Sequence, residues 1–367
     1  MKTIVIDARK IKSSTGRYVF ELCTHLEAID TTNRYKVIVL PEEADYYRPT
    51  NPNFTVVTCS YKHYTFDEQL GFNHFLRALK PDLVHFYMPQ QPLLYTKPAI
   101  TTVHDLNLLR ITDNDMGAVE RFVKKKIFAA LLWVVARRTR HIITPTQFTK
   151  DDLVSWSHVS PEKVTVTYEG VYDLKKTKPT PKYSDVPYFM YLGRAEPYKN
   201  NRRMIEAHQR LLRTKPELKL LIVGAIDDLR KADMDWVKQN GYKNVDFLGW
   251  LPDEEAAWLY QRAIAYVGPS YLEGFGLPAL EAMYQGAPVV SANTTCSPEV
   301  FGDAAHYFDP FSIDDITRAM NDVMTDAKLR KQLIMNGRSQ VKKYSWRRMA
   351  EQTHAIYIQT LNHSLTD

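Results

Sequence analysis

The stretch Ala265-Tyr-Val-Gly-Pro-Ser-Tyr-Leu-Glu-Gly-Phe-Gly-Leu-Pro-Ala-Leu-Glu281 joins a short apolar run to a helical pattern through a loop with two glycines. Gly274 and Gly276 allow a tight turn and a close approach of a ligand to the backbone. Pro278 suits the first turn of a helix, where its missing N–H costs no hydrogen bond. The order of strand, glycine turn and helix is typical of parallel sheets covered by helices, so this stretch predicts an α/β fold.

The turn in this stretch lies between two acidic residues, Glu273 and Glu281. The N-terminus of the helix presents free N–H groups and a partial positive charge, which suit a phosphate group. Carboxylates are poor phosphate ligands but good acceptors for sugar hydroxyls. The stretch therefore predicts a pocket for a sugar, a diphosphate and a ribose. A solvated Glu273 beside a helix-start Glu281 is the alternative, and it leaves the glycines and the proline unexplained.

Strand and helix patterns alternate along nearly the whole chain. Seven candidate strands precede residue 172 and six follow residue 186, and the predicted helices include Asp67–Leu79 and Ala327–Tyr344. At 367 residues the chain is too long for one ordinary core. We expect two Rossmann-like, doubly wound α/β domains, with ligands bound beyond the carboxyl ends of the strands.

The predicted boundary between these domains is the segment 173–185, which carries four lysines near two prolines and no periodic apolar pattern. This composition suits an exposed connector. The first domain is then predicted to span residues 1–172 and the second residues 186–345.

A second loop with candidate functional residues follows the strand predicted at Tyr188–Leu192. Gly193 allows the chain to turn, and Arg194 and Lys199 then lie at the carboxyl end of the strand. The planar guanidinium of an arginine can bind two phosphate oxygens, and a lysine supplies a compact charge. Both residues could stabilise a departing diphosphate, or they could be surface cations near a helix start.

Together these motifs resemble the retaining GT-B glycosyltransferases of glycosyltransferase family 4, also described as glycosyl transferases group 1. The residues that carry the resemblance are Gly193-Arg194 with Lys199, Phe247-Leu-Gly-Trp-Leu-Pro252, and the stretch from Glu273 to Glu281. The family includes mannosyl-, glucosyl- and rhamnosyltransferases of bacterial polysaccharide assembly. The resemblance implies two Rossmann-like domains that face each other across a cleft, an acceptor-binding domain over residues 1–172 and a nucleotide-sugar donor-binding domain over residues 186–345.

The resemblance also implies a role for each matching residue. Arg194 and Lys199 would bind the donor diphosphate, Glu273 the hydroxyls of the donor sugar, and Glu281 the ribose. The remaining predicted donor-binding residues lie in the glycine turn and in the segment that would frame the base; they are Gly274, Phe275, Gly276, Leu277, Trp250 and Leu251.

In the first half, Ser14-Thr15-Gly16-Arg17-Tyr18 resembles the family's glycine loop, in which Gly16 faces the donor. Family members often have another glycine before this Gly-Arg-Tyr, whereas Ser13-Ser14-Thr15 stand here. Thr102-Val103-His104-Asp105-Leu106 resembles the motif that places a histidine beside the donor sugar, although His104 could be a structural histidine. The helix predicted from Tyr344-Ser-Trp346 onward, residues 346–367, would pack back on the first domain.

The predicted reaction is a retaining, metal-independent transfer of a hexose from a nucleotide-diphosphate sugar to a glycan or a lipid-linked glycan in cell-surface polysaccharide or glycolipid synthesis. The resemblance favours GDP-mannose as donor, with UDP-sugars next. The basic residues Arg194 and Lys199 can stabilise the charge that a metal stabilises elsewhere, so neither a metal nor a cofactor is expected. The alternatives are a nucleotide-sugar epimerase of similar fold and a non-catalytic nucleotide-sugar-binding subunit.

Composition and charge give an expectation for the cellular location. The three cysteines are far apart in sequence, which favours a reducing cytoplasm, and the longest apolar run, Ile127–Ala136, is shorter than the roughly 20 residues that span a bilayer. The formal net charge is +6, and residues 119–140 have basic ends around an apolar middle. This segment is either an ordinary domain helix or a peripheral contact with the anionic inner face of the membrane. No nucleic-acid partner is expected.

Overall fold

The structure, a computed structural model, describes the chain except for Ser14, residues 111–117, 172–175 and 364–367, and the side chains of residues 118–121 and 363. The chain divides into two compact units. The first unit contains most of the residues up to Gly170 and resumes at Ser345, and the second runs from Val171 to Tyr344.

The first unit contains a parallel sheet whose strand order within the described residues is β3-β2-β1-β4-β5-β6-β7. The strands are β1 (Thr3–Asp7), β2 (Arg34–Val39), β3 (Phe54–Thr58), β4 (Leu83–Phe86), β5 (Ala99–Thr102), β6 (His141–Thr144) and β7 (Val164–Val166). All four residues of β4 and of β5 are buried, as expected for central strands of a parallel sheet covered on both faces.

The second unit repeats this architecture, and its described residues form a parallel sheet of order β10-β9-β8-β11-β12-β13. The strands are β8 (Tyr188–Leu192), β9 (Lys219–Val223), β10 (Val245–Gly249), β11 (Ala265–Gly268), β12 (Val289–Ala292) and β13 (Ala305–Phe308). The strand order reverses between β8 and β11, which is where open α/β sheets bind their ligands. The predicted α/β fold with two Rossmann-like units is confirmed.

Helices connect the strands in both units. They are α1 (Gly16–Ile29), α2 (Asn73–Ala78), α3 (Asn107–Arg110), α4 (Ala118–Arg138), α5 (Gln147–Ser157), α6 (Asn201–Leu211), α7 (Asp228–Gln239), α8 (Asp253–Arg262), α9 (Leu277–Tyr284), α10 (Ser297–Phe301), α11 (Ile313–Thr325), α12 (Ala327–Gln340) and α13 (Trp346–His363). Several begin with a side chain that accepts a hydrogen bond from the first turn, as Thr146 does for α5 and Asp227 for α7.

Two predicted helices differ from the structure. The segment predicted as one helix over Asp67–Leu79 starts with a π-helical turn, Glu68–Phe72, before α2. The turn places Glu68 in a buried ion cluster that the sequence pattern does not show. The helix predicted over Ala327–Tyr344 ends at Gln340, because the chain tightens into a 3-10 turn over Val341–Lys343.

The segment predicted as an exposed connector, 173–185, is partly folded onto the second unit. Residues 173–175 lie outside the described residues. The amide of Lys178 donates to the carbonyl of Glu254, and Tyr183 is buried with its hydroxyl on Asp246, 2.9 Å away. The prolines of this segment therefore initiate a short turn that packs against the second sheet.

Helix α13 returns the chain to the first unit and packs along α1. Its Tyr357 is fully buried and its hydroxyl lies 2.6 Å from Nδ1 of His85 in β4. Gly170 lies against the start of the same helix, where a Cβ atom would come within 2.2 Å of the backbone nitrogen of Trp346. Gly170 and the start of α13 therefore pack against each other within the first unit.

Helix α4 has an apolar surface that is not covered within the described residues. Leu132 and Ala136 are buried in the core of the first unit, whereas Phe122, Ile127 and Trp133 are 61%, 62% and 46% exposed. Among the described residues, no helix combines the length and the apolar character needed to cross a bilayer.

Candidate functional site

The loop after β8 holds the two predicted diphosphate ligands of the second unit. Gly193 extends the strand pairing through its amide, which donates to the carbonyl of Val223 at 3.0 Å. Nε of Arg194 lies 2.7 Å from Glu196, and its side chain is 64% exposed. A 3-10 turn over Pro197–Lys199 then leads into α6.

The loop after β11 contains the glycine turn. Gly276 has a φ of +88° directly before α9, and a Cβ atom there would come within 2.7 Å of the Phe301 ring. Glycine is therefore required at this position by both backbone conformation and space. Pro278 lies in the first turn of α9, and Gly286 with a φ of +83° follows the helix, as the sequence predicts.

The two loops meet in an ion pair between Lys199 and Glu273. Nζ of Lys199 lies 2.7 Å from Oε1 of Glu273, and both side chains are less than a quarter exposed. Burial lowers the pKa of Lys199, but the Glu273 carboxylate outweighs burial, so the pKa lies above its ordinary value. The structure thus brings together a predicted diphosphate ligand and a predicted sugar ligand, a contact that the sequence does not predict.

The other predicted donor residues of the second unit lie in the glycine turn, in α9 and directly after β10. Glu281 is buried in α9, and Phe275 is buried with its ring against Tyr344 at a centroid distance of 5.4 Å. Leu277 begins α9 after Gly274 and Gly276. Trp250 and Leu251 follow β10 at its carboxyl end, where Trp250 is 76% exposed.

Side chains that sequence reasoning missed hold the Glu273 loop in place. The Glu273 amide donates to Oγ1 of Thr295 at 3.2 Å, and Sγ of Cys296 donates to the Glu273 carbonyl at 3.4 Å. Asn200 is buried with a φ of +59°, and its Nδ2 donates to the carbonyls of Pro269 and Pro310 at 3.1 and 2.8 Å. One amide therefore links the loops after β8, β11 and β13. In the sequence, the only indication that Asn200 links these loops is that it is a polar residue next to Lys199.

Arg230 of α7 is a second missed residue. It is 1% exposed, and its NH2 group donates to the carbonyl of Gly193 at 2.8 Å. Because a buried cation is costly unless it is bonded, this contact fixes the backbone immediately before Arg194. A Cβ atom on Gly224 would meet the same carbonyl at 2.1 Å, so β9 also approaches the loop closely.

In the first unit, His104 lies between two hydrogen-bond acceptors. Nε2 is 3.0 Å from the carbonyl oxygen of Tyr87, and Nδ1 is 3.3 Å from Oε1 of Glu169. A neutral imidazole donates from one nitrogen only, and an ionised carboxylate only accepts. Both contacts are therefore hydrogen bonds only when the His104–Glu169 pair holds an additional proton. Glu169 is buried and was missed in the sequence because it lies 65 residues further along the chain.

Gly16 is buried at the first position of α1, and its amide donates to Oγ of Ser13 at 3.0 Å. A Cβ atom there would come within 2.2 Å of the Lys10 carbonyl and 2.3 Å of the Ile11 carbonyl. Close approach of the chain's own backbone therefore requires this glycine. Ser14, which belongs to the same predicted loop, lies outside the described residues.

A polar network supports these loops of the first unit. Tyr18 packs edge-on against the His104 ring, at 4.8 Å, and its hydroxyl lies 3.2 Å from Oγ1 of Thr102. The same Oγ1 lies 2.8 Å from Nε2 of His85. Burial and the nearby His104 lower the pKa of His85 to about 3, so this imidazole is neutral at physiological pH.

A buried ion cluster follows the end of β1. Nε and NH2 of Arg9 lie 2.9 and 2.8 Å from the two oxygens of Asp7, and NH2 also lies 2.8 Å from Glu68. His63 lies 3.0 Å from the same Glu68 oxygen. Although burial raises the pKa of Asp7, Arg9 outweighs it and the pKa is lowered. The Asp-Ala-Arg sequence at residues 7–9 is the signal that could have revealed this cluster.

The family profile described as "Glycosyl transferases group 1" matches residues 174–340, and the one described as "Glycosyltransferase Family 4" matches residues 15–173. O-antigen chain mannosyltransferase B of Escherichia coli is 29% identical over 298 residues, which cover 77% of this chain and 75% of that protein.

Two solved structures share the fold over nearly their full length. Sucrose-phosphate synthase from Thermosynechococcus elongatus has a TM-score of 0.79 at 18% identity, with 99% of this chain and 100% of that chain covered. The Anabaena protein HepE, in a complex with UDP and glucose, has a TM-score of 0.75 at 16% identity, with 98% and 100% covered.

Proposed function

Because the chain belongs to the glycosyl transferases group 1 family and is a hexosyltransferase of GT-B fold, we propose that it transfers mannose from GDP-mannose to a glycan or lipid-linked glycan acceptor. The mannosyltransferase among its relatives supports mannose, and O-antigen synthesis by that relative supports cell-surface polysaccharide as the product. UDP-sugars are the next candidates, since a neighbour in fold binds UDP and glucose.

The observation that carries this proposal is the meeting of Lys199 and Glu273 at 2.7 Å, beside the point where the strand order reverses. In the proposed complex Lys199 and Arg194 bind the diphosphate, while Glu273 accepts hydrogen bonds from the sugar hydroxyls. The ion pair holds both side chains at the site before the donor binds. Glu281 takes the ribose, and the backbone amides at the start of α9 lie near phosphate and sugar.

The proposed chemistry is a retaining transfer without a metal. The bond between the anomeric carbon and the diphosphate oxygen breaks, and the acceptor oxygen bonds to the same carbon on the same face. The acceptor proton passes to the departing diphosphate. Lys199 and Arg194 stabilise the charge on that diphosphate, and each such contact contributes about 3 to 4 kcal/mol to transition-state binding.

In the first unit, the residues that we propose to act on the donor are His104 and Gly16. His104 has a ring that Glu169 and the Tyr87 carbonyl hold in one orientation. A histidine so oriented can bind a sugar hydroxyl or balance negative charge as the diphosphate departs. Because Gly16 has no side chain, the start of α1 can pack closely against the backbone of Lys10 and Ile11. For the same reason, no side chain at this position would obstruct a donor.

The test is a transfer assay with GDP-mannose and UDP-glucose, each with and without a mannose-containing acceptor, in buffers with and without EDTA. We expect transfer from GDP-mannose, insensitivity to EDTA and, by NMR of the product, the anomeric configuration of the donor. Epimerisation without acceptor would replace the proposal with an epimerase. Nucleotide binding with no turnover of any donor would indicate a non-catalytic subunit, and inversion or EDTA-sensitive transfer would contradict the mechanism.

We also propose that the protein works in the cytoplasm at the inner face of the membrane, which α4 contacts. The exposed Phe122, Val123 and Ile127 lie among Lys124, Lys125 and Lys126. Exposed apolar side chains beside cations are typical of helices that lie in an anionic bilayer surface.

Co-sedimentation with vesicles of phosphatidylglycerol and phosphatidylcholine tests this contact. We expect binding that rises with the anionic fraction and falls in the Phe122→Ser, Ile127→Ser variant, while a Met335→Ser variant, altered at an exposed apolar residue of the second unit, binds normally. Equal binding to neutral vesicles, or none, would contradict the contact.

A further inference from the structure

An open cavity of the second unit lies at the carboxyl ends of β12 and β13. Its volume is about 380 Å³, and its lining includes Asn293, Thr294, Asp309 and Phe311. This volume is within the range of small-molecule sites. None of the predicted donor-binding residues lines it, so the donor does not account for this cavity.

The cavity is built from an exposed aromatic ring and uncharged or balanced polar groups. Phe311 is 59% exposed, and its ring packs against Tyr271 at a centroid distance of 5.4 Å. Asn293 offers an amide, which both donates and accepts hydrogen bonds, and the Thr294 hydroxyl can accept them. An aromatic face beside such groups suits a sugar ring, which has one apolar C–H face and a rim of hydroxyls.

The charges around the cavity do not favour an anion. Asp315 accepts from the Asp309 amide at 2.7 Å and pairs with Arg318 at 2.6 Å. Oδ1 of Asp309 accepts from the Phe311 amide, and the guanidinium of Arg203 lies 5.7 Å from the Phe311 ring. The carboxylates of Asp309 and Asp315 thus line the cavity. The nearby Arg318 and Arg203 balance their negative charge. A neutral polyhydroxyl ligand fits this balance, whereas a phosphate does not.

The wall of the cavity is continuous with the candidate donor site. Asn200, next to Lys199, donates to the carbonyl of Pro310 just before Phe311, and to that of Pro269. Oγ1 of Thr294 donates to the carbonyl of Ser270, three residues before Glu273. These contacts keep the aromatic ring at a fixed position relative to the ion pair. A ligand in the cavity therefore lies beside the loop that would hold the donor sugar.

We propose that this cavity is a glycan subsite, which binds one sugar residue of the acceptor chain away from the position of transfer. The inference rests on the proposed function, because it assigns the ligand as part of the acceptor glycan. Such a subsite would make the enzyme act better on long acceptors than on short ones, since binding energy at a remote sugar adds to that at the reacting end.

Direct binding tests the subsite independently of transfer. Saturation-transfer NMR with mannopentaose and with maltopentaose is applied to the wild type and to Phe311→Ala, Phe311→Tyr and Met335→Ala, the last being an exposed apolar residue elsewhere in the second unit. We expect at least one pentasaccharide to bind the wild type, with a dissociation constant about tenfold weaker in Phe311→Ala. Phe311→Tyr and Met335→Ala should bind like the wild type. No binding to the wild type, or unchanged binding to Phe311→Ala, overturns the proposal.

Kinetics then separate the subsite from the transferase activity. With GDP-mannose saturating, Phe311→Ala should raise KM about tenfold for a five-sugar acceptor and leave KM for a one-sugar acceptor unchanged. An equal rise for both acceptors would overturn the subsite. If no acceptor is mannosylated, yet Phe311→Ala still weakens glycan binding, the subsite stands and the proposed donor or reaction is wrong.

Discussion

The two units hold their candidate site residues in different ways. In the second unit, Lys199 and Glu273 come from two local strand–loop–helix segments and meet in one ion pair. In the first, His104 depends on Tyr87 and Glu169, which are distant in sequence. A local segment shows its chemistry through spacing, whereas a network made by tertiary contacts has no pattern along the chain. In the second unit, two residues therefore form the candidate site directly. In the first unit, the position of His104 depends on several other residues.

The largest effect should come from the ion pair of the second unit. Lys199→Ala removes a charge that stabilises the departing diphosphate, so we expect kcat/KM to fall about 100- to 1,000-fold. Glu273→Gln should act mainly on the sugar and lower kcat by a smaller factor. Initial rates with GDP-mannose measure both effects, and Lys238→Ala, at an exposed lysine of α7, is the control. A Lys199→Ala variant with full activity would show that the ion pair is only structural.

An intermediate effect should follow from the support of His104. Glu169→Gln keeps the size of the side chain but removes its negative charge, so the imidazole loses the partner that balances a second ring proton. We expect kcat to fall about 10- to 100-fold, the range for partners that orient a functional imidazole, with little change in KM.

Chemical denaturation separates positioning by Glu169 from a structural role, because Glu169→Gln should lower kcat while its free energy of unfolding stays close to that of the wild type. Glu162→Gln, at an exposed glutamate before β7, is the control. A loss of kcat that is matched by a loss of stability would contradict the role of Glu169.

A third prediction concerns stability of the second unit and its dependence on one side chain. Asn200→Ala removes two buried hydrogen bonds and leaves alanine at a φ of +59°, so we expect the free energy of unfolding to fall by about 2 kcal/mol. Asn244 also has a positive φ and donates to a proline carbonyl, but its bond is exposed. Chemical denaturation of Asn244→Ala should show less than half the loss. Equal losses would mean that backbone strain alone, and not the linking of three loops, explains the effect.

The smallest predicted effect is a dependence of stability on pH, to which one buried histidine in each unit contributes. Burial lowers the pKa of His85 to about 3 in the first unit and the pKa of His208 to about 4 in the second. Unfolding returns each pKa to about 6.5, so the unfolded chain binds more protons and stability is lost as the pH falls below 6.5. Each histidine should contribute roughly 0.7 kcal/mol of loss between pH 7 and pH 6.

Thermal unfolding at these two pH values tests the contribution of each histidine. His85→Gln and His208→Gln should each flatten the pH dependence, and His74→Gln, at an exposed histidine, should not. If His85→Gln leaves the pH dependence of stability unchanged, then the contacts of His85 with Thr102 and Tyr357 do not keep its imidazole neutral.

These differences also determine what the sequence could predict. The glycine turn, Pro278 and the helix over Leu277–Tyr284 follow from local conformational preferences, and the structure confirms them. The π-helical turn before α2 was missed, because it serves Arg9 and Asp7, which are 60 residues away in the chain and leave no periodic pattern near Glu68. Glu169 and Arg230 were missed for the same reason. The roles of all the predicted site residues, Lys199, Glu273 and His104 included, remain predictions.

Helix α13 belongs to the first unit but follows the second unit in the chain, which has a consequence for the order in which the two units can fold. Most of the first unit is translated before the second, yet its β4 packs against Tyr357, which is translated 272 residues after His85. The second unit is complete in the nascent chain before α13 exists. Since domains fold as units when their residues become available, the unit that starts first is finished last. Until then, the buried imidazole of His85 lacks one of its two partners.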